Sequence, residues 1–278
     1  MNDPIRVACH DLNNALGTIL VSADVGGKRA GADADRECFD AIAAGARRAG
    51  ELVAQIPLLA DSPVERDLEY LMRSHPEPPP VIVELEEHCK RDEIPLMERS
   101  GVQLLAALVA AARADSILEL GTAYGYSAIW MALAQGPSGR IVTVDPDTAR
   151  TDIAKSYFVR TGVAQRIDVV NRPALDAIAS MRDATFDLVF IDAVKEEYPA
   201  YLDAVLPHIR QSGVVVVDNL LWHHRASAAP AKNDEQSTVA IRDFSRTFMS
   251  HPSLRAVIVP VGDGVGFAVK TGPTDTAR

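Results

Sequence analysis

The stretch ILELGTAYGYSA, residues 117–128, predicts a β-strand that runs through a glycine turn into a helix. Gly121 and Gly125 would let the backbone approach a ligand closely, and the N-terminus of the next helix offers unpaired N–H groups to an anionic group. Two glycines at such a junction are also common in purely structural turns. The stretch alone therefore leaves a ligand-binding turn and a structural turn both open.

Short apolar runs alternate with helical patterns after residue 116. The runs are SILEL (116–120), RIVTVD (140–145), RIDVVN (166–171), FDLVFID (186–192), GVVVVDN (213–219), LRAVIVPV (254–261) and GVGFAVK (264–270). Continuous Val/Ile runs separated by helices predict a mainly parallel sheet covered on both faces, the doubly wound α/β class. The short Gly/Asp turn between the last two runs predicts an antiparallel hairpin at the far edge.

Residues 4–60 show a different, helical pattern. Apolar residues recur at three- and four-residue steps on both sides of a Gly/Asp-rich break at 26–35, which predicts a helical hairpin. Because two isolated helices leave their apolar stripes uncovered, we expect a second copy to complete a four-helix bundle in a homodimer. The predicted organisation is a hairpin at 1–62, a linker with a short helix and the segment HPEPPP at 63–80, and one domain at 81–278.

The composition excludes several classes of protein. The 278 residues are 47% hydrophobic, carry a formal net charge of −10 and contain three cysteines at wide spacing. A negative chain is not expected to bind nucleic acid or an anionic membrane, and the cysteines match no zinc or disulfide pattern. No apolar run reaches the roughly 18 residues of a membrane span, so a cytoplasmic protein is expected.

Acidic and amide residues follow successive predicted strands. Asp145 ends the second strand, where an acid can bind both ribose hydroxyls, and the Gly-x-x-x-Gly spacing favours a nucleoside with an amino-acid tail over a dinucleotide. Asp192, Asp218 and Asn219 follow two further strands and should converge at one sheet edge beside Lys195. Their hard oxygen donors suit Mg²⁺ or Ca²⁺, whereas the structural alternative is that each acid caps the next helix.

Residues 80–271 resemble the cation-dependent class I S-adenosylmethionine O-methyltransferases, the group of caffeoyl-CoA and catechol O-methyltransferases. The resemblance lies in LELGTAYGYSA, VTVDPD, FIDAVKEEYPAYLD, SGVVVVDNLLWHHR and VGDGVGFAVK, in the family's order. It implies a Rossmann-like fold and transfer of a methyl group to a catechol-like hydroxyl. The residues that it implies are Glu119, Gly121, Thr122, Gly125, Tyr126, Ser127, Asp145, Ala174 and Asp192 for the cofactor, Asp192, Asp218 and Asn219 for the metal, and Lys195 for catalysis. Met97, Trp222 and His223 are further candidates, for the rim of the substrate pocket.

The chain departs from that family's pattern at two places. Val194 stands where caffeoyl-CoA-type members carry an acid, and LWHHR replaces LWGG after the Asp-Asn pair. His223 and His224 are therefore candidates for the pocket rim, for an extra metal ligand or for ordinary loop residues. No basic surface for coenzyme A is evident, so we expect a small catechol or another hydroxylated aromatic acceptor.

The N-terminal hairpin resembles the dimerisation and phosphotransfer hairpin of histidine kinases. His10, Asp11 and Asn14 occupy the places of the phosphoacceptor motif, but no ATP-binding segment follows. The hairpin is thus either a borrowed dimerisation module or a phosphoacceptor for another protein. A signalling protein with an inactive methyltransferase scaffold is the alternative to the enzyme.

Overall fold

A computed structural model describes Ile42 and residues 63–231 and 234–272 of the chain. The chain divides into two compact units, Met1–Glu77 and Pro78–Arg278. The hairpin predicted at 1–62, which would contain His10 and the expected dimer interface, lies outside the described residues apart from Ile42. In the first unit, helix α1 (Pro63–Ser74) occupies the segment where a short linker helix is predicted.

The second unit alternates strands and helices. Helices α2 and α3 precede the first strand, and the helices after it connect successive strands. The bounds are α2 Pro80–Arg91, α3 Arg99–Ala112, β1 Ser116–Leu120, α4 Tyr126–Ala134, β2 Arg140–Val144, α5 Thr148–Arg160, β3 Ile167–Val170, α6 Ala174–Ser180, β4 Phe186–Ile191, α7 Tyr198–Val205, β5 Ile209–Val217, α8 Gln236–Ser250, β6 Leu254–Val259 and β7 Val265–Lys270.

The seven strands form one sheet in the order β3-β2-β1-β4-β5-β7-β6. The first five strands pair in parallel, with β1 between β2 and β4. Strand β7 is antiparallel to both β5 and β6. The doubly wound sheet and its antiparallel edge hairpin are thus confirmed, since apolar β-branched runs are buried between two helical layers.

Two apolar clusters cover the two faces of the sheet. One contains Ile117 of β1 with side chains from α2, α3, α4 and α5. The other contains the neighbouring Leu118 of β1 with side chains from α6, α7 and α8. Successive strand residues point to opposite faces, so both layers are fixed by the same short strand.

Within the described residues, no helix combines the length and the apolar character that crossing a bilayer requires.

Candidate active site at the carboxyl edge of the sheet

A cavity of about 680 Å³ opens at the carboxyl ends of the parallel strands. Its wall is built from the segments that follow β1, β2, β4 and β5, and from residues 94–98 between α2 and α3. The strand order reverses between β1 and β4, and ligands of open α/β sheets bind at such a switch point. Thirteen of the predicted site residues line it: Met97, Gly121, Thr122, Tyr126, Ser127, Asp145, Ala174, Asp192, Lys195, Asp218, Asn219, Trp222 and His223.

The glycine turn after β1 packs tightly against its neighbours. Gly121 has φ +102°, and a Cβ there would lie 2.0 Å from the backbone oxygen of Asp192. Gly125 has φ +83° at the start of α4, and its Cβ would lie 2.4 Å from Cε1 of Phe158. Both positions require glycine on steric and conformational grounds. Gly125 does not line the cavity, so its observed role is to let α4 pack on α5.

Glu119 lies behind the cavity wall rather than on it. Its fully buried carboxyl accepts hydrogen bonds from the hydroxyls of Ser127 and Thr143, both at 2.5 Å. Burial raises the pKa of Glu119 to about 8, although these two donors act in the opposite direction. Glu119 therefore acts on the cavity through Ser127, whose hydroxyl it orients.

Asp145 is held by two backbone donors. The N–H of Ala123 donates to Oδ2 at 2.8 Å, and the N–H of Asp147 donates to Oδ1 at 2.9 Å. The residue is nearly buried but still lines the cavity, and each carboxylate oxygen can accept a further hydrogen bond. This geometry suits the acceptance of two hydroxyl hydrogen bonds from a ribose.

Lys195 lies at the centre of a polar cluster. Its Nζ donates to Asp192 Oδ1 at 2.6 Å, to Asn219 Oδ1 at 2.7 Å and to the hydroxyl oxygen of Tyr198 at 2.7 Å. The lysine side chain is only 11% exposed. Tyr198 is fully buried, and burial raises its pKa well above the usual value, so its hydroxyl remains neutral. The ammonium group is thus held in one place, facing the cavity.

Asp218 has a buried carboxylate oxygen, Oδ1, for which the described part of the chain provides no hydrogen-bond partner. Burial and the negative charge of Asp192 raise the pKa of Asp218. A bound cation would satisfy this oxygen and relieve the repulsion. The described residues contain no group of three His, Cys, Asp or Glu side chains that could hold a metal, so a cation here would need the amide oxygen of Asn219 as a ligand. Asp192, Asp218 and Asn219 therefore fit a hard divalent cation.

The far rim of the cavity contains three consecutive left-handed residues. Trp222, His223 and His224 have φ of 49°, 52° and 63°. His223 lines the cavity and its ring lies 3.7 Å from Asp263, whereas His224 is exposed and does not line it. The structure thus places one of the two histidines at the rim.

Sequence reasoning missed several residues of the site. Asp263 lines the cavity and accepts a hydrogen bond from the side chain of Asn219, and its only sequence signal is a position between two turn glycines. Tyr124 also lines the cavity and donates to Asp92 at 2.8 Å. His88 lies 3.1 Å from the same carboxylate, which ties α2 and the start of the 94–98 segment to the glycine turn.

Comparison with known proteins identifies relatives of the second unit. The family model described as O-methyltransferase matches residues 73–271. The catechol O-methyltransferase of Mycobacterium tuberculosis (strain ATCC 25618 / H37Rv) is 37% identical over 169 residues, which cover 60% of this chain and 76% of that protein. The probable caffeoyl-CoA O-methyltransferase 1 of Dictyostelium discoideum is 32% identical and covers 59% of this chain and 72% of its own length.

Solved structures show the same fold. The Streptomyces achromogenes O-methyltransferase involved in tomaymycin synthesis, in complex with S-adenosylmethionine, is 28% identical with a TM-score of 0.65, over 73% of this chain and 95% of that one. The Bacillus cereus O-methyltransferase in complex with S-adenosylhomocysteine is 27% identical with a TM-score of 0.65, over 73% and 96% of the two chains.

Proposed function

Because this chain belongs to the S-adenosylmethionine-dependent O-methyltransferase family, we propose that it methylates one hydroxyl of a catechol-like or other hydroxylated aromatic small molecule, with a divalent cation at Asp192, Asp218 and Asn219. The observation that carries the proposal is the cluster around Lys195. Its ammonium group donates to the oxygens of Asp192 and Asn219, and the neighbouring Asp218 Oδ1 has no hydrogen-bond partner among the described residues.

The methyl donor supplies an electrophilic methyl group on a sulfonium sulfur. Asp145 would accept the ribose hydroxyls, Ser127 would contact the methionine part and Ala174 the adenine, which orients the donor in the cavity. The methyl group would pass to the acceptor oxygen and leave the sulfur as a neutral thioether, so the alignment that these residues provide would supply much of the rate.

The acceptor hydroxyl must lose its proton, because a phenol with an ordinary pKa near about 10 is mostly neutral at pH 7. A divalent cation supplies charge that favours the ionised phenol. Lys195 in its neutral form would take that proton, and in its charged form it would hold the phenolate by charge; Asp192, Asn219 and Tyr198 already orient its Nζ.

The size and charge of the cavity support a small acceptor. A volume of about 680 Å³ has to hold the methyl donor as well as the acceptor. Cationic groups in the wall are few, and Arg150 pairs with Asp147 at 3.3 Å. A coenzyme A thioester carries several phosphates and would need more positive charge. Met97 and Trp222 instead provide an apolar rim for an aromatic ring.

The direct test is methyl transfer to a panel of vicinal dihydroxy aromatics, with Mg²⁺ and with a chelator. Lys195→Ala should lower kcat by about 10²- to 10⁴-fold, while the Kd for S-adenosylmethionine, measured by calorimetry, stays within a few-fold. Lys155→Ala, at an exposed lysine bonded to Asp152, is the matched control. Unchanged turnover of Lys195→Ala would contradict the role of the lysine, and activity indifferent to the chelator would contradict the cation.

We further propose that residues 1–62 make the chain a homodimer. The support is the helical pattern of the hairpin and its resemblance to the histidine-kinase module, and the matched family region begins only at residue 73. Light scattering should give a dimer for the full chain and a monomer after deletion of 1–62. Phosphohistidine detection in the full chain and in His10→Ala tests the phosphoacceptor. Family membership and the Lys195 cluster favour an enzyme over an inactive signalling scaffold.

A further inference from the structure

We propose that Asp263 is a positioning residue, which fixes the side-chain amide of Asn219 so that its oxygen faces Lys195 and Asp192. This inference rests on the proposed function, because the amide oxygen matters most as a cation ligand. Asp263 lies 44 positions beyond Asn219, in the turn between β6 and β7. It touches no reacting atom in this geometry and acts through its neighbour.

The two ends of the Asn219 amide have different partners. Nδ2 donates to Asp263 Oδ2 at 3.1 Å, and Oδ1 accepts from Lys195 Nζ at 2.7 Å. A primary amide donates at nitrogen and accepts at oxygen, so both contacts specify the same orientation. After a flip, the amide nitrogen would face the ammonium group and the amide oxygen would face the carboxylate. The carboxylate of Asp263 therefore excludes the flipped orientation.

The same carboxylate also holds the backbone of the rim. The N–H of His223 donates to Asp263 Oδ1 at 2.6 Å, and the N–H of Leu221 donates to the backbone oxygen of Asp263 at 2.8 Å. Asn219 itself has φ 61°, in the left-handed region that asparagine enters more readily than most other residues. The Asp263 side chain is only 13% exposed. Asp263 thus contacts left-handed residues on both sides of Leu221, namely Asn219 before it and His223 after it.

Close packing brings Asp263 to this place. Gly264 has φ +86°, and a Cβ there would lie 2.7 Å from the backbone nitrogen of Leu221. The glycine lets the β6–β7 turn lie directly on the segment after β5. This contact explains why the Asp263 side chain reaches both the Asn219 amide and the His223 N–H.

The two donors that Asp263 serves require two acceptor oxygens. Asp263→Asn keeps one oxygen and replaces the other with an NH₂ group, so one of the two donors, the N–H of His223 or Nδ2 of Asn219, would face another donor. Asn219→Asp places one carboxylate against another. The exchange Asn219→Asp/Asp263→Asn restores the pattern, because the new amide at 263 donates to the new carboxylate at 219 and still accepts from His223.

The experiment measures Mn²⁺ binding to the full chain by electron paramagnetic resonance, with S-adenosylmethionine binding measured separately by calorimetry. We expect Asp263→Asn to raise the Mn²⁺ Kd about ten- to a hundred-fold, with the S-adenosylmethionine Kd within two-fold. The exchange variant should recover most of the Mn²⁺ affinity. Asp183→Asn, at an exposed aspartate, is the matched control and should bind Mn²⁺ like the wild type.

Two results would overturn the inference: wild-type Mn²⁺ affinity in Asp263→Asn, or an exchange variant no better than Asp263→Asn. Recovery of Mn²⁺ affinity in the exchange variant also shows that Asp263→Asn does not act through misfolding. A thermal melt of each variant checks folding directly. If the wild type binds no Mn²⁺, the cation of the proposed function fails. The role of Asp263 is then tested by the signal of the Asn219 side-chain amide in ¹⁵N spectra. This signal should shift in Asp263→Asn, and an unchanged signal would refute the positioning role.

Discussion

Alanine substitution at two glycines with positive φ separates conformational strain from steric overlap. Gly121 has φ +102°, and its Cβ would lie 2.0 Å from the backbone oxygen of Asp192; Gly162 has φ +73°, and nothing lies within 4 Å of its Cβ. Gly162→Ala should therefore cost only the strain of a left-handed alanine, about 1–2 kcal/mol of the free energy of unfolding. Gly121→Ala should lower the free energy of unfolding by the same strain and, in addition, by the cost of the steric overlap.

The overlap at Gly121 is costly because neither backbone segment can move freely. The N–H of Gly121 donates to Val144 at 2.9 Å, and the N–H of Asp192 donates to Leu120 at 2.9 Å. Moving the Asp192 carbonyl would separate the ends of β1 and β4, so an overpacking cost of roughly 1–3 kcal/mol is expected in addition. The total for Gly121→Ala is then about 2–5 kcal/mol, the sum of the strain and overpacking ranges.

Urea unfolding followed by tryptophan fluorescence measures this difference. Both tryptophans of the chain, Trp130 and Trp222, belong to the second unit, so the signal reports on that unit. Gly121→Ala should also weaken S-adenosylmethionine binding at least ten-fold, because Asp192 moves, whereas Gly162→Ala should not. Equal unfolding free energies for the two variants, within about 0.5 kcal/mol, would refute the steric argument.

Three further predictions concern pH, cofactor and acceptor. The pKa of Glu119 is raised to about 8 in the folded chain, so the free energy of unfolding falls as pH rises through that value. In urea titrations the wild type should lose on the order of a few kcal/mol between about pH 5 and pH 8.5, and Glu119→Gln should not show this loss. Identical pH profiles of the two proteins would contradict this. Asp145→Asn loses one of two acceptors for backbone N–H groups and should raise the Kd for S-adenosylmethionine about ten-fold or more by calorimetry, whereas unchanged binding would exclude its ribose role. Tyr124→Phe removes the hydrogen bond to Asp92 and should raise the acceptor KM several-fold with little change in kcat; a fall in kcat alone would point to chemistry instead.

The sequence predicted the sheet and the position of the site because both depend on local patterns. Runs such as VVVV before Asp218 indicate buried parallel strands, and the carboxyl ends of such strands meet at one edge. Asp145, Asp192 and Asp218 could therefore be placed in one cavity without coordinates. Glu119 and Gly125, predicted to contact the cofactor, do not line the cavity: the Glu119 carboxyl is buried against Ser127 and Thr143, and Gly125 packs against Phe158.

The sequence by itself determined which residues follow each strand, and hence which acids and which lysine meet at the sheet edge. Only the tertiary structure decided how they are oriented. The β6–β7 turn brings Asp263 to the Asn219 amide across 44 positions, and that contact sets which end of the amide faces Lys195. Side-chain orientation depends on hydrogen bonds between segments distant in the chain, and these form only when the whole sheet is assembled.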